Sequence, residues 1–202
     1  MTGRARRGAD DFDKAYYERF YASKRTRVHG AKEVARLGAA LVGLVVWYGG
    51  RLRSVLEIGA GTGLLRDWFC ANYPHVRYVS TEYSKHACAT YRHMKRDIAR
   101  WRTKRTFDLV ICQGVLPYLA DADASRALDN LYAMTRGFLY LEAVTQRDHR
   151  TVCDRKRTDP RMLFRPATFY HTRLRTRFVA LGGGVFYRAD GPLRFYELEV
   201  LS

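Results

Sequence analysis

Six residues between positions 57 and 82 have the types and spacing to hold a small charged ligand. Glu57 is followed by Gly59, Ala60, Gly61 and Gly63, and Glu82 lies at the end of a second short apolar run. Glycines at alternate positions let a turn adopt left-handed backbone and let a ligand approach the main chain closely. The G-x-G-x-x-G pattern that receives a pyrophosphate needs a glycine where this chain has Leu64, and no Gly-Lys-Ser/Thr follows as a P-loop requires. A carboxylate at position 57 would repel a pyrophosphate and attract a cation. The turn therefore suits a ligand carrying ammonium and sulfonium charges, with Glu82 placed to accept both hydroxyl protons of a ribose and Tyr83 beside it to cover a base.

The elements that must position these residues alternate. "SVLEI" (54–58), "VRYVST" (76–81), "FDLVIC" (107–112) and "FLYLEAV" (138–144) read as strands; the third is nearly continuous in apolar residues, as a buried parallel strand should be. Leu65, Trp68, Phe69 and Asn72 recur at helical spacing, Ser84 to His93 forms a helix, and "DASRALDNLYAMTRG" forms another, with Asp123 as N-cap and Gly137 just past its end. Strand and helix in alternation imply right-handed crossovers and an α/β, Rossmann-like doubly wound sheet, mostly parallel. The final "RFVALGGGVFYRADGPLRFYELEVL" breaks the rhythm, with two β-rich runs joined by a Gly- and Pro-containing turn, an antiparallel hairpin. Before the sheet, helices are expected at 13–23 and 31–48. Residues 1–50 form an N-terminal helical cap within the same domain as a core of 51–202.

"VLEIGAGTGLL", "STEYS", "RDIARW" and "FDLVICQGVLPYL", in that order, resemble four motifs of the class I S-adenosylmethionine-dependent methyltransferases. The resemblance runs from about Ser54 to the C-terminus, and "AYYERFY" is similar to the cofactor-covering helix of small bacterial members. It implies a seven-stranded sheet with S-adenosyl-L-methionine as cofactor and S-adenosyl-L-homocysteine as product. Carried over by position, Gly59, Ala60, Gly61 and Gly63 line the cofactor, Glu57 supports its amino group and Glu82 holds the ribose. Tyr83, Asp97 and Ile98 flank the adenine, Gln113 lies near the methionine portion, and Tyr17 covers the site. Methylases of adenine amino groups carry Asn or Asp, two prolines and an aromatic where this chain has Gln113 to Tyr118, which argues against that acceptor.

Methyl transfer needs orientation and a dry pocket before it needs an acid or base. Should the acceptor be a hydroxyl or phenol, Tyr118 and His149 are the candidate bases, with His86 and Glu142 beside them. The long segment 145–166 after the last parallel strand is expected to overhang the acceptor, its Asp148, Asp154 and Arg157 ordering it through ion pairs.

Composition bounds the remaining choices. The chain has 202 residues, enough for one core. "LGAALVGLVVWYGG" is too short to span a bilayer, which takes about 20 apolar residues, and its helical periodicity points to a buried helix. "MTGRARRGADDFDK" has no apolar h-region of a secretory signal. Four scattered cysteines make no metal-ligand spacing, and read as reduced thiols of a cytoplasmic protein with no metal site. The net charge of +16 leaves an anionic partner open. The expectation is a small-molecule methyltransferase; an RNA or protein methyltransferase, and a non-catalytic scaffold that binds cofactor or nucleic acid, are the alternatives.

Overall fold

A computed structural model describes residues 7–201. The first six residues of the leading segment lie outside it. Seven strands form one sheet in the order β3-β2-β1-β4-β5-β7-β6. They are β1 (Ser54–Ile58), β2 (Arg77–Glu82), β3 (Met94–Lys95), β4 (Phe107–Gln113), β5 (Thr135–Glu142), β6 (Phe178–Gly182) and β7 (Val185–Arg188). β1 to β5 pair in parallel, and β7 runs antiparallel to both neighbours. The strand order reverses between β1 and β4, the place where open α/β sheets bind ligands at their carboxyl edge.

Successive residues of the inner strands face opposite layers, as a period of two requires. Leu56, Val110 and Leu139 pack with α5 (Asp121–Met134) and α7 (Ala167–Leu174) on one face. Val55, Leu109 and Ile111 pack with α2 (Ala31–Trp47) and α3 (Leu64–Asn72) on the other. The apolar run of α2 thus buries Leu41, Val42 and Val45, and among the described residues no helix is long and apolar enough to cross a membrane. Gly38 lets α2 approach α3 closely, because a Cβ there would lie 2.4 Å from the Trp68 ring.

Five local expectations are corrected. The hairpin turns at Gly182, Gly183 and Gly184, all left-handed, so its second strand is "VFYR" rather than "RFYELEVL", which holds only a 3-10 turn at Glu197–Glu199. Glycines can take that backbone without strain, whereas after the later Gly-Pro pair the described residues form no strand, although Leu201 N–H donates to the Ala180 carbonyl of β6 at 2.8 Å. Helix α5 starts two residues before Asp123, which is buried and bound by Arg126 instead of capping. Gly137 lies inside β5, where a Cβ would meet the Asp108 carbonyl at 2.8 Å. The 13–23 helix is a single α turn, α1 (Lys14–Tyr17), followed by a π turn at Glu18–Ala22 that Ser23 N–H closes on the Glu18 carbonyl at 3.0 Å. The helix predicted over Ser84 to His93 is α4 (Lys85–Tyr91), with the Ser84 hydroxyl as N-cap.

Candidate active site

The turn after β1 is held by both of its neighbours. Gly59, Gly61 and Gly63 have φ of +76°, +58° and +80°. The amides of Gly59 and Ala60 donate to the Thr81 carbonyl at 2.9 and 3.0 Å. A Cβ on Gly59 would lie 2.3 Å from Val115 Cγ2, and one on Gly61 3.3 Å from the Tyr21 ring. Glu82, at the end of β2, accepts from the amides of Gly61 (2.9 Å), Tyr83 (2.6 Å) and Ser84 (3.0 Å). Burial raises its pKa, and those three donors pull it partly back. Glu57 accepts from Tyr78 Oη at 2.8 Å. Burial pushes its carboxyl up to about 7, against the Tyr78 bond and with the Glu82 charge adding to it.

Two cavities meet over this edge. The first, of about 640 Å³, has Glu82, Tyr83, Asp97, Ile98 and Gln113 in its wall and Arg7, Phe12, Tyr16 and Tyr17 over it. The second, of about 1000 Å³, is lined by Glu57, Gly59, Ala60, Gly61, His29, Glu142 and Asp159. Gly59, Gln113, Tyr21 and Tyr118 border both.

The roof is tied down from both ends of the chain. Arg7 Nη1 donates to Asp159 Oδ2 at 2.8 Å, in a pair that is 8% and 2% exposed, and the guanidinium lies 4.1 Å from the centre of the Phe12 ring. Tyr16 and Tyr118 share a hydrogen bond of 3.0 Å. Burial raises the pKa of the Tyr16, Tyr17, Tyr21 and Tyr118 hydroxyls, so they keep their protons. This makes Tyr118 a hydrogen-bonding wall rather than a ready base.

Most of the expected residues converge here, and a few do not. Gly63 borders neither cavity; it starts α3, and a Cβ there would press on Arg66 and His93. Asp97 lines the first cavity while accepting from Ala99 N at 3.0 Å and pairing with Arg100. His149 is not brought to either cavity. It lies on α6 (Gln146–Thr151), stacked on Phe164 with ring centres 3.9 Å apart, facing a separate shallow groove. His86 lies against Tyr17, outside both cavities. The 145–166 segment does reach the second cavity through Arg157, Thr158, Asp159 and Met162. Within it, Arg157 pairs with Asp154, and Asp148 accepts from Thr145. Arg7, Phe12, His29 and Asp159 were not legible in sequence, since none belongs to a local pattern.

Residues 56–136 match a family model described as a methyltransferase domain. The matched segment carries the glycine turn, Glu57, Glu82 and Gln113, and identifies a methyltransferase domain. The fold is similar to that of magnesium protoporphyrin IX methyltransferase from Synechocystis with bound S-adenosylhomocysteine, at a TM-score of 0.61, 16% identity, and coverage of 88% of this chain and 96% of that one. DesVI of Streptomyces venezuelae is similar at a TM-score of 0.61 and 15% identity, covering 87% and 98%. An S-adenosylmethionine-dependent methyltransferase from Clostridium acetobutylicum gives 0.54 and 14%, covering 68% of this chain and 58% of its own length. No curated protein matches the sequence. The carboxyl edge of the sheet also fits S-adenosylmethionine chemically: two buried carboxylates at the ends of β1 and β2, a left-handed glycine turn that a Cβ would fill, and an aromatic roof suit a cationic amino-acid nucleoside.

Proposed function

We propose that the chain is an S-adenosylmethionine-dependent methyltransferase acting on a small molecule, and that the first cavity takes the adenosine and the second the methionine portion together with the acceptor. The observation that carries this reading is confinement: the space above Gly59 and Gln113 is closed by Tyr16, Tyr21 and Tyr118 and by the Arg7–Asp159 pair. A space roofed in this way admits a small acceptor more readily than a polymer chain. The Synechocystis neighbour is named for a porphyrin acceptor, which agrees in kind. S-adenosylmethionine, when bound, supplies an electrophilic methyl group on a sulfonium.

The chain's own residues supply binding, orientation and dryness. Glu82 accepts the ribose hydroxyl protons, Asp97 and Ile98 border the adenine with Tyr83 and Tyr17, and the carboxylate of Glu57 supports the ammonium. Gly59, Ala60 and Gly61 give the ligand access to the backbone. The tyrosine roof excludes water with groups that remain neutral. Of the expected cap and core, residues 7–50 cover residues 51–201, one domain rather than two.

Calorimetric titration with S-adenosylhomocysteine tests the reading. Saturable one-to-one binding is expected, weakened tenfold or more by Glu82→Ala, which removes charge-assisted hydrogen bonds of about 1.5–3 kcal/mol each. No binding by folded wild-type protein would overturn it.

A further inference from the structure

Three carboxylates at the carboxyl edge of the sheet, Glu57, Glu82 and Glu142, have no ion-pair partner among the described residues. In a chain with 36 Lys and Arg against 20 Asp and Glu, cations were plentiful. Asp108, at the opposite end of β4, is held by Arg136 Nε at 3.1 Å. Glu57 and Glu82 answer to the cofactor proposed above. Glu142 does not.

Glu142 ends β5 in register with Gln113 of β4. Its Oε2 accepts from Gln113 Nε2 at 3.0 Å and from Tyr140 Oη at 3.1 Å. The same Gln113 nitrogen lies 3.3 Å from His29 Nε2. A carboxylate only accepts, so the Gln113 atom facing it is the NH2, and an amide NH2 only donates. His29 must then present an unprotonated Nε2 to it, with the ring proton on Nδ1. Glu142 therefore fixes, through Gln113, a basic imidazole nitrogen in the second cavity. Apart from Glu57, the other charges there are matched, Asp159 by Arg7 and Arg157 by Asp154.

We propose that the methyl acceptor is an amine, bound as its ammonium by Glu142, and that His29 Nε2 takes the proton the nitrogen must lose; this rests on the methyltransferase reading of the same cavity. An N–H bond breaks, its electron pair stays on nitrogen and the proton passes to Nε2, whose single lone pair Gln113 gives up by turning its amide so that Oε1 accepts from the new Nε2–H. That pair then forms the bond to the methyl carbon, and the carbon–sulfur pair remains on sulfur. The products are a methylated ammonium, an imidazolium and a thioether, with charge conserved. A neutral hydroxyl would leave Glu142 unbalanced, and an anionic acceptor would be repelled by it.

The test uses the full chain saturated with S-adenosylhomocysteine and two matched probe pairs, cyclohexylamine with cyclohexanol and benzylamine with benzyl alcohol. Each amine is expected to bind at least tenfold tighter than its alcohol, and Glu142→Gln should abolish that preference while S-adenosylhomocysteine affinity stays within threefold. Long-range proton–nitrogen NMR should find His29 with Nε2 unprotonated. With labelled S-adenosylmethionine, His29→Gln should slow methyl transfer to the bound amine tenfold or more at unchanged amine affinity. Equal binding of amine and alcohol, no amine binding, a preference that survives Glu142→Gln, or an Nε2–H tautomer would each overturn the proposal. Failure of wild-type protein to bind S-adenosylhomocysteine would instead remove the reading beneath it.

Discussion

Glu57 sets binding against stability. Its carboxyl is raised by burial from an ordinary 4.5 to about 7, so between those values the folded chain holds a proton that the unfolded chain has released. Stability from this group is therefore full below about pH 4.5 and declines as pH rises to 7, the reverse of a salt-bridged carboxylate. Glu57→Gln keeps an acceptor for Tyr78 without the charge. It should leave the melting temperature near wild type at pH 4.5 and raise it by several degrees at pH 8, since each pKa unit is worth about 1.4 kcal/mol. The same change should weaken S-adenosylhomocysteine binding; equal melting temperatures at pH 8 would refute the account of the buried charge. Gly59→Ala acts through backbone alone. Its left-handed φ costs an L-residue about 1–2 kcal/mol, and the new Cβ would strike Val115. Denaturant unfolding should show a loss of about 2 kcal/mol or more. Both residues were legible in sequence because an acid and alternate glycines after a strand form a local pattern. His29 was not, since 84 positions separate it from Gln113 and only folding brings them together.

At the scale of elements, the parallel strands were readable because each is a short apolar run bounded by turn residues, and burial on both faces forces that composition. The C-terminal hairpin turns earlier than the Gly-Pro pair suggests, because proximity of Gly and Pro signals a turn without saying which flanking runs pair. The π turn at Glu18–Ala22 was hidden for a related reason: tyrosine-rich helical spacing looks the same whether the last turn closes at four residues or five. Nor could the roof be seen, as its fastening, Arg7 to Asp159, spans 152 positions. That pair carries its own prediction. Removing one member of a buried ion pair leaves the other uncompensated, at a cost of about 3–5 kcal/mol. Asp159→Asn should therefore release the roof first, speeding hydrogen exchange of amides 14–22 roughly a hundredfold or more, with the sheet unaffected. Arg7→Met with Asp159→Leu should restore most of the protection. Unchanged exchange in the single variant would show that the aromatic contacts of Phe12 and Tyr16 hold the roof without the pair.

Across the whole molecule, charge is distributed against its own sheet edge. The net charge is +16, and residues 92–105 alone expose Arg92, Lys95, Arg96, Arg100, Arg102, Lys104 and Arg105. Of these Arg100 has a carboxylate partner in Asp97. Such a surplus repels itself in the compact state, and the repulsion acts over the Debye length, about 30 Å at 0.01 M salt and 8 Å at 0.15 M. The opposing pairs are mostly exposed, such as Lys14–Glu18 and Lys85–Asp10, and exposed pairs contribute about 0–1 kcal/mol each. The buried Arg7–Asp159 pair is screened little. Repulsion therefore dominates the salt response, and raising sodium chloride from 10 to 150 mM should raise the melting temperature by a few degrees at pH 7. Sulfate at equal ionic strength would raise it further by its exclusion from the surface, so chloride is the cleaner probe of screening. A fall in melting temperature over that range would mean that the surface pairs, taken together, outweigh the repulsion among unpaired arginines.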